Sequence, residues 1–159
     1  VATVHELLSG SVDEEVDMDE AVSRLLPSMV DVAAGETPVS VSHRDRLGVL
    51  PAELAMPLVM VLTELIQNAV EHGFAQPRDD ARIEISADRD VRRMVLTVRD
   101  NGTGLPDNFS INDSERLGLQ IVQTLVNIEL GGALELGPNP QGQGAQARIT
   151  VPLHARTPA

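Results

Sequence analysis

The sequence has no cysteine, lysine, tryptophan or tyrosine, and only two phenylalanines. Without thiols it can build neither a disulfide nor a thiolate metal site, and thiol catalysis is excluded. With so few aromatics the core must be packed from Leu, Val, Ile, Ala and Met. Positive charge is scarce too: all twelve basic side chains are Arg, set against 24 acidic ones, for a formal net charge of −12. Such a surface lacks the clustered cations that meet phosphodiesters, so no direct nucleic-acid partner is expected. No window approaches the roughly 20 apolar residues of a membrane span, and no signal-peptide pattern is present. The expectation is a cytoplasmic protein. What is there, 42% apolar residues in a chain of 159, suits one globular domain.

Residues 1–18 begin like the tail of a helix, VATVHELLSG, and run into an acidic stretch with little period. The first residue is not Met, and the chain is expected to be a piece of something longer. Residues 1–18 are read as the end of an upstream helix and a linker, 19–155 as the folded domain, and 156–159 as a tail. Asp17 or Asp19 can cap a helix over EAVSRLLPSMVDVAAG, with Gly35 as its stop. PVSVSHRD alternates like a short strand. Pro51 opens a long helical segment that carries Pro57 in its early turns and Gly73 near its end. ARIEISADRD and RRMVLTVRD read as antiparallel strands turning near Arg89-Asp90. A third helix runs from about Ser114 to Gly131-Gly132, and ALELG with AQARITVPL forms a last strand pair. Helices interleaved with hairpins predict an α/β two-layer sandwich, with a mixed, mostly antiparallel sheet and helices packed on one face.

One stretch, VRDNGTGLP at 98–106, admits two readings. Asn101-Gly102 after an alternating run is a hairpin signal, because both residues tolerate positive φ. A hairpin needs a returning strand, however, and residues 101–113 show neither alternation nor β-branched density. A long loop without structure of its own is more often a binding loop or lid. On that reading Asp100 is a carboxylate at a strand end that needs donors. Gly102 and Gly104 let the backbone approach a flat ring closely.

Two helices flank this loop in sequence. Upstream, LTELIQNAVEH places Glu64, Asn68 and His72 at successive i, i+4 steps on the border of polar and apolar arcs. That border is either a solvated edge or a site. As a site, Asn68 offers a neutral oxygen to Mg²⁺, which takes few protein ligands beside substrate phosphates. Glu64 can accept a proton from a nucleophile, and His72 can hydrogen-bond a phosphate. Downstream, Gly118 lies in the first turn of a helix, where Gly weakens the structure by about 1 kcal/mol relative to Ala. It either allows close helix packing or lets an anion reach the unpaired N–H groups.

In this order and spacing, the boxes ELIQNAVEH, DNGTG and LGLQIV resemble the N box and glycine boxes of the GHKL (Bergerat-fold) ATPases. The likeness is strongest to the catalytic domains of bacterial sensor histidine kinases, over roughly residues 37–153. The resemblance implies ATP and Mg²⁺ as cofactors. It implies that Asp100 reads the adenine amino group, with Gly102, Gly104, Leu117, Gly118 and Leu119 shaping the nucleotide site. Asn68 would hold the metal, Glu64 assist phosphoryl transfer, and residues 105–117 form an ATP lid. The implied partners are a dimerisation domain bearing the phosphoacceptor histidine and a response regulator. This chain differs from the usual pattern at Ser114 and Arg116, which stand where glycines are common, and at Ala145, which stands where Thr is common. Its boxes look like the compact ones of cytosolic actinobacterial sensors. His5 sits where the upstream hairpin would end and is not expected to accept phosphate, so the fragment is not expected to label itself. Anti-sigma-factor-like serine kinases share the fold and form the alternative, as does a domain that binds nucleotide without catalysis.

Overall fold

The computed structural model describes residues 15–34, 39–43, 46–74, 80–105 and 117–153. Alternation in the sequence becomes a sheet with one dry face. Strand β1 is Glu15–Asp17, β2 Ser40–His43, β3 Val49–Pro51, β4 Arg82–Arg89, β5 Arg93–Asp100, β6 Ala133–Pro138 and β7 Ala145–Pro152. Helix α1 is Met18–Ala34, α2 Ala52–Asn68 and α3 Leu117–Thr124. A five-stranded sheet has the order β2-β4-β5-β7-β6. Among the described strands only β2 and β4 pair in parallel, and α2 lies in the crossover that such a pair needs.

On the sheet's inner face Ile83, Ile85, Met94, Leu96, Ile149 and Val151 are buried. Against them pack Val22 and Leu25 of α1, Leu58, Leu62 and Ile66 of α2, and Leu119 and Val122 of α3. Glu84, Ser86, Arg99, Gln146 and Arg148, one register position away, belong to the opposite, polar face. The expected two-layer sandwich, with a mostly antiparallel sheet and helices on one face, is what forms. Ala52–Gly73 is a 22-residue helical run, long and apolar enough in principle to cross a membrane. Here it supplies the centre of the core, with Leu58, Val61, Leu62 and Ile66 fully buried.

Two features differ from the sequence reading. Strand β1 falls in the stretch read as an acidic linker, and it pairs antiparallel with β3, Val16 opposite Leu50. Three-residue strands are too short to show a period. The long helices also end in wide π turns, Ala69–Gly73 after α2 and Leu125–Glu129 after α3. Apolar spacing alone does not tell a π turn from an α turn, and such bulges often mark functional sites.

Both candidate caps of α1 are used, for different purposes. Asp17 Oδ1 accepts the N–H groups of Asp19 at 3.1 Å and Glu20 at 3.2 Å, the N-cap geometry. Asp19 instead accepts N–H from Leu47 at 2.7 Å and Gly48 at 3.0 Å, fixing the loop that leads into β3. The β4–β5 turn is held by Asp90, whose carboxyl is kept below the usual carboxylate range by the N–H groups of Arg92 and Arg93.

Candidate functional site

Met94, Leu96 and Val98 alternate inward along β5, and Asp100 continues the same face. Only 7% exposed, it is the one charged side chain buried among the described residues. Burying a carboxylate is costly unless donors meet it. Its Oδ1 accepts the N–H of Gly102 at 2.9 Å and of Ala145 at 3.2 Å. The Ala145 contact comes from backbone, so it does not depend on the missing Thr hydroxyl. Both carboxylate oxygens also face Gly73, where an added Cβ would lie 3.4 Å from Oδ1 and 3.7 Å from Oδ2. The carboxylate thus looks toward the C-terminal end of the long central helix.

The loop after Asp100 docks on that helix end and does not turn back as a hairpin. Among the described residues no non-glycine has positive φ, and Gly102 is not a positive-φ glycine, so the primed turn is absent. Thr103 donates its N–H to the Gly73 carbonyl at 3.0 Å and its hydroxyl to the His72 carbonyl at 3.3 Å. Two carbonyls at the helix end are thereby satisfied. Gly102 has no room for a side chain, since a Cβ there would collide with the Gly73 backbone. Asn101 clasps the start of β4: its Oδ1 accepts the Arg82 N–H at 2.9 Å, and its Nδ2 donates to the Asp80 carbonyl at 2.7 Å.

Glu64 and Asn68 lie half-buried on one face of α2, as their spacing predicts. Asn68 makes no side-chain hydrogen bond with any described residue. His72 falls within the π turn and is exposed, so it leaves the strict i, i+4 register. Gly118 stands against Glu64: a Cβ built on it would be 2.6 Å from Glu64 Oε2. The first described turn of α3 therefore carries the N-box carboxylate on its bare glycine. Leu117 opens α3, and Leu119 beside it faces the core at 1% exposure. Gly104, at φ +85°, approaches the Gly144 carbonyl. Most of the expected lid, like Ser114 and Arg116, lies outside the described residues, as do His5, the other residues of 1–14 and those of 154–159.

The structure thus gathers Glu64 with Gly118, and Asp100 with Gly73, Gly102, Ala145 and the 139–144 turn. Thr103 and Asn139 belong to this assembly and carry no motif of their own. A hydroxyl between two glycines and an Asn between two prolines are the only local hints. A polar groove of about 380 Å³ also opens beside the strand ends, lined by Arg82, Glu84, Arg99, Asn139 and Gln141 among others.

A Glu/Asn pair one turn apart on α2, and a strand-end carboxylate and glycines pressed on the π turn that ends it, lie along one helical run. Residues 53–155 match the model of the histidine kinase-, DNA gyrase B- and HSP90-like ATPases. The chain belongs to this ATPase family. Membership brings ATP as the ligand class. The chain is 46% identical over 157 residues to the sensor histidine kinase PdtaS of Mycolicibacterium smegmatis, covering 99% of this chain and 31% of that protein. The Mycobacterium tuberculosis PdtaS is 43% identical over 156 residues, with 98% of this chain and 31% of that protein covered. The chain therefore spans about a third of the length of these relatives. A histidine kinase domain from the Erythrobacter litoralis blue-light-activated kinase EL346 has the same fold, with a TM-score of 0.79 at 21% identity, over 95% of this chain and 70% of that one. The ATP-binding domain of Mycobacterium tuberculosis PrrB superposes with a TM-score of 0.64 at 25% identity, over 89% and 98%.

Proposed function

We propose that this chain is the ATP-binding catalytic domain of a sensor histidine kinase. It binds Mg-ATP and passes the γ-phosphoryl to a histidine on a dimerisation domain of the whole protein, for relay to a response regulator. On this reading the catalytic unit spans 19–155 together with residues 15–18, which pair with β3, cap α1 and enter the core. It works in the cytoplasm, where its nucleotide and regulator are found. The observation that carries the reading is the buried Asp100 carboxylate, aimed by two backbone N–H groups at the helix-end side of the sheet.

In this assignment Asp100 accepts the exocyclic amine of adenine, and Gly102 and Gly104, expected to make room for the ring, instead let the loop close on the Gly73 backbone and the Gly144 carbonyl. Leu117, Gly118 and His72 border the phosphate side, whereas Leu119, expected among them, is buried in the core and anchors α3. Asn68 fits a metal-ligand role because its half-buried amide has no hydrogen-bond partner among the described residues; Mg²⁺ held there would neutralise phosphate charge. Glu64, one turn earlier, orients the incoming imidazole and accepts its proton. An N–P bond forms to the histidine as the P–O bond to ADP breaks, and most of the catalysis is positioning.

The test is calorimetric titration with Mg-ATP. Gly102 and Ala145 both need an acceptor where Oδ1 lies. In Asp100→Asn the amide oxygen must take that place, so the NH₂ group replaces Oδ2 and meets the adenine amine donor to donor. Affinity should fall at least about tenfold, the equivalent of 1.4 kcal/mol. An unchanged affinity removes Asp100 from base recognition.

A further inference from the structure

Asp100 is held by more than the glycine box. The β5–β7 ladder ends at the Arg99↔Gln146 pair. Beyond it the Ala145 N–H goes to the Asp100 carboxylate, and the Asp100 carbonyl accepts the side-chain Nδ2 of Asn139 at 3.0 Å. Asn139 is itself engaged through both main chain and side chain. Its N–H donates to the Gly144 carbonyl at 3.0 Å, and its carbonyl accepts the Gly142 N–H at 3.3 Å. Its Oδ1 accepts the Gln141 N–H at 3.0 Å. Only one orientation of the amide satisfies both ends, oxygen toward Gln141 and nitrogen toward Asp100. The turn thus folds around Oδ1 and aims Nδ2 at the residue that carries the site. Gly144 closes the arrangement: at φ +122° it lies so close to the Asp100 carbonyl that no Cβ fits.

We propose that Asn139 is a positioning and specificity residue, fixing the backbone of Asp100 so that its carboxylate meets the base at the correct angle. It acts through the main chain, its Nδ2 donating to the Asp100 carbonyl. The inference rests on the reading of Asp100 as the adenine contact. Its consequence is discrimination between bases and not general nucleotide affinity. Adenine presents an amine to Asp100, whereas hypoxanthine presents a carbonyl at the same ring position on an identical ribose triphosphate. The ratio of ATP to inosine triphosphate affinity therefore isolates the carboxylate's aim from charge and phosphate contacts.

Asn139→Asp is the decisive variant. Its carboxylate still accepts the Gln141 N–H and keeps the turn, but it offers Asp100 an acceptor in place of the donor. Both triphosphates would be titrated into the full chain with Mg²⁺, and melting temperature recorded alongside. The ATP-to-inosine-triphosphate ratio should narrow about three- to tenfold, the effect of one misaligned hydrogen bond. Asn139→Ser, whose hydroxyl can keep a similar turn but is too short to reach Asp100, should narrow it likewise and serves if the first variant does not fold. A ratio unchanged in whichever variant folds, or both affinities lowered equally, overturns the proposal. Asp100→Asn separates the two levels. If it leaves the ratio intact, base recognition by Asp100 has failed and the Asn139 inference falls with it. If it narrows the ratio while the Asn139 variants do not, only the positioning role is lost.

Discussion

Asn68 is a half-buried amide whose side chain bonds to no described residue, on the helix face that also carries Glu64. Such an amide keeps its carbonyl lone pairs available to a ligand. The carbonyl oxygen of an amide suits a hard divalent ion that keeps most of its shell for phosphates and water. Asn68→Ala should therefore weaken binding only where the metal takes part. In Mg²⁺ the loss should be about tenfold, the ratio given by 1.4 kcal/mol, and in excess chelator wild type and variant should bind ATP alike. Titrations with and without EDTA give both numbers. A variant that keeps the full Mg²⁺ dependence takes Asn68 out of the metal site. The places of Glu64 and Asn68 on one helix face and of Asp100 at a strand end were legible from residue type and spacing, because each follows from a local pattern. Thr103 and Asn139 were not, since what they do depends on the His72–Gly73 helix end and on Asp100, segments separated in sequence.

Between elements, the telling contact is α2 against α3. Gly118 weakens its own helix, yet a Cβ there would stand 2.6 Å from Glu64 Oε2. The sequence allowed two reasons for that glycine, phosphate approach or close helix packing, and the structure adds a third: room for a carboxylate on the neighbouring helix. Gly118→Ala should stabilise α3 by up to about 1 kcal/mol while displacing the flexible end of Glu64. Melting temperature should hold or rise, and phosphoryl transfer to a supplied phosphoacceptor domain should slow about tenfold with little change in KM for ATP. In a Glu64→Ala background the same substitution should cost nothing further, because the group it displaces is gone. Additive losses in the double variant would assign Gly118 to the nucleotide instead. Periodicity made α2, the β4–β5 hairpin and the β6–β7 pair readable, as each is long enough to repeat. It missed β1 and β3, which have three residues apiece, and both π turns, whose residues satisfy an α-helical pattern equally well.

For the whole molecule, the net charge of −12 sets the conditions under which it meets a polyanion. The field of an acidic domain repels free ATP, and salt screens that repulsion over about 10 Å at 0.1 M. Metal-bound nucleotide carries less charge and feels less of it. On the proposed assignment the site draws on the end of β5, the end of α2, the start of β7 and the first described turn of α3, so a bound nucleotide would tie the sheet to two helices. Binding to the folded state alone stabilises by RT ln(1 + [L]/Kd), about 2.7 kcal/mol at a hundredfold excess over Kd. For a chain of this size that corresponds to a rise in Tm on the order of 5–10 °C. The rise should be largest with Mg-ATP and smaller with ATP in chelator. The chelator arm should gain more from added salt than the Mg²⁺ arm does, because repulsion is the part that salt removes. Thermal melts of wild type and Asp100→Asn across an ionic-strength series measure all of this, and the variant's shift should be smaller in every arm, about half the wild-type shift where its affinity is tenfold lower. Equal shifts in variant and wild type would mean that the nucleotide stabilises the domain from a surface other than the one Asp100 faces.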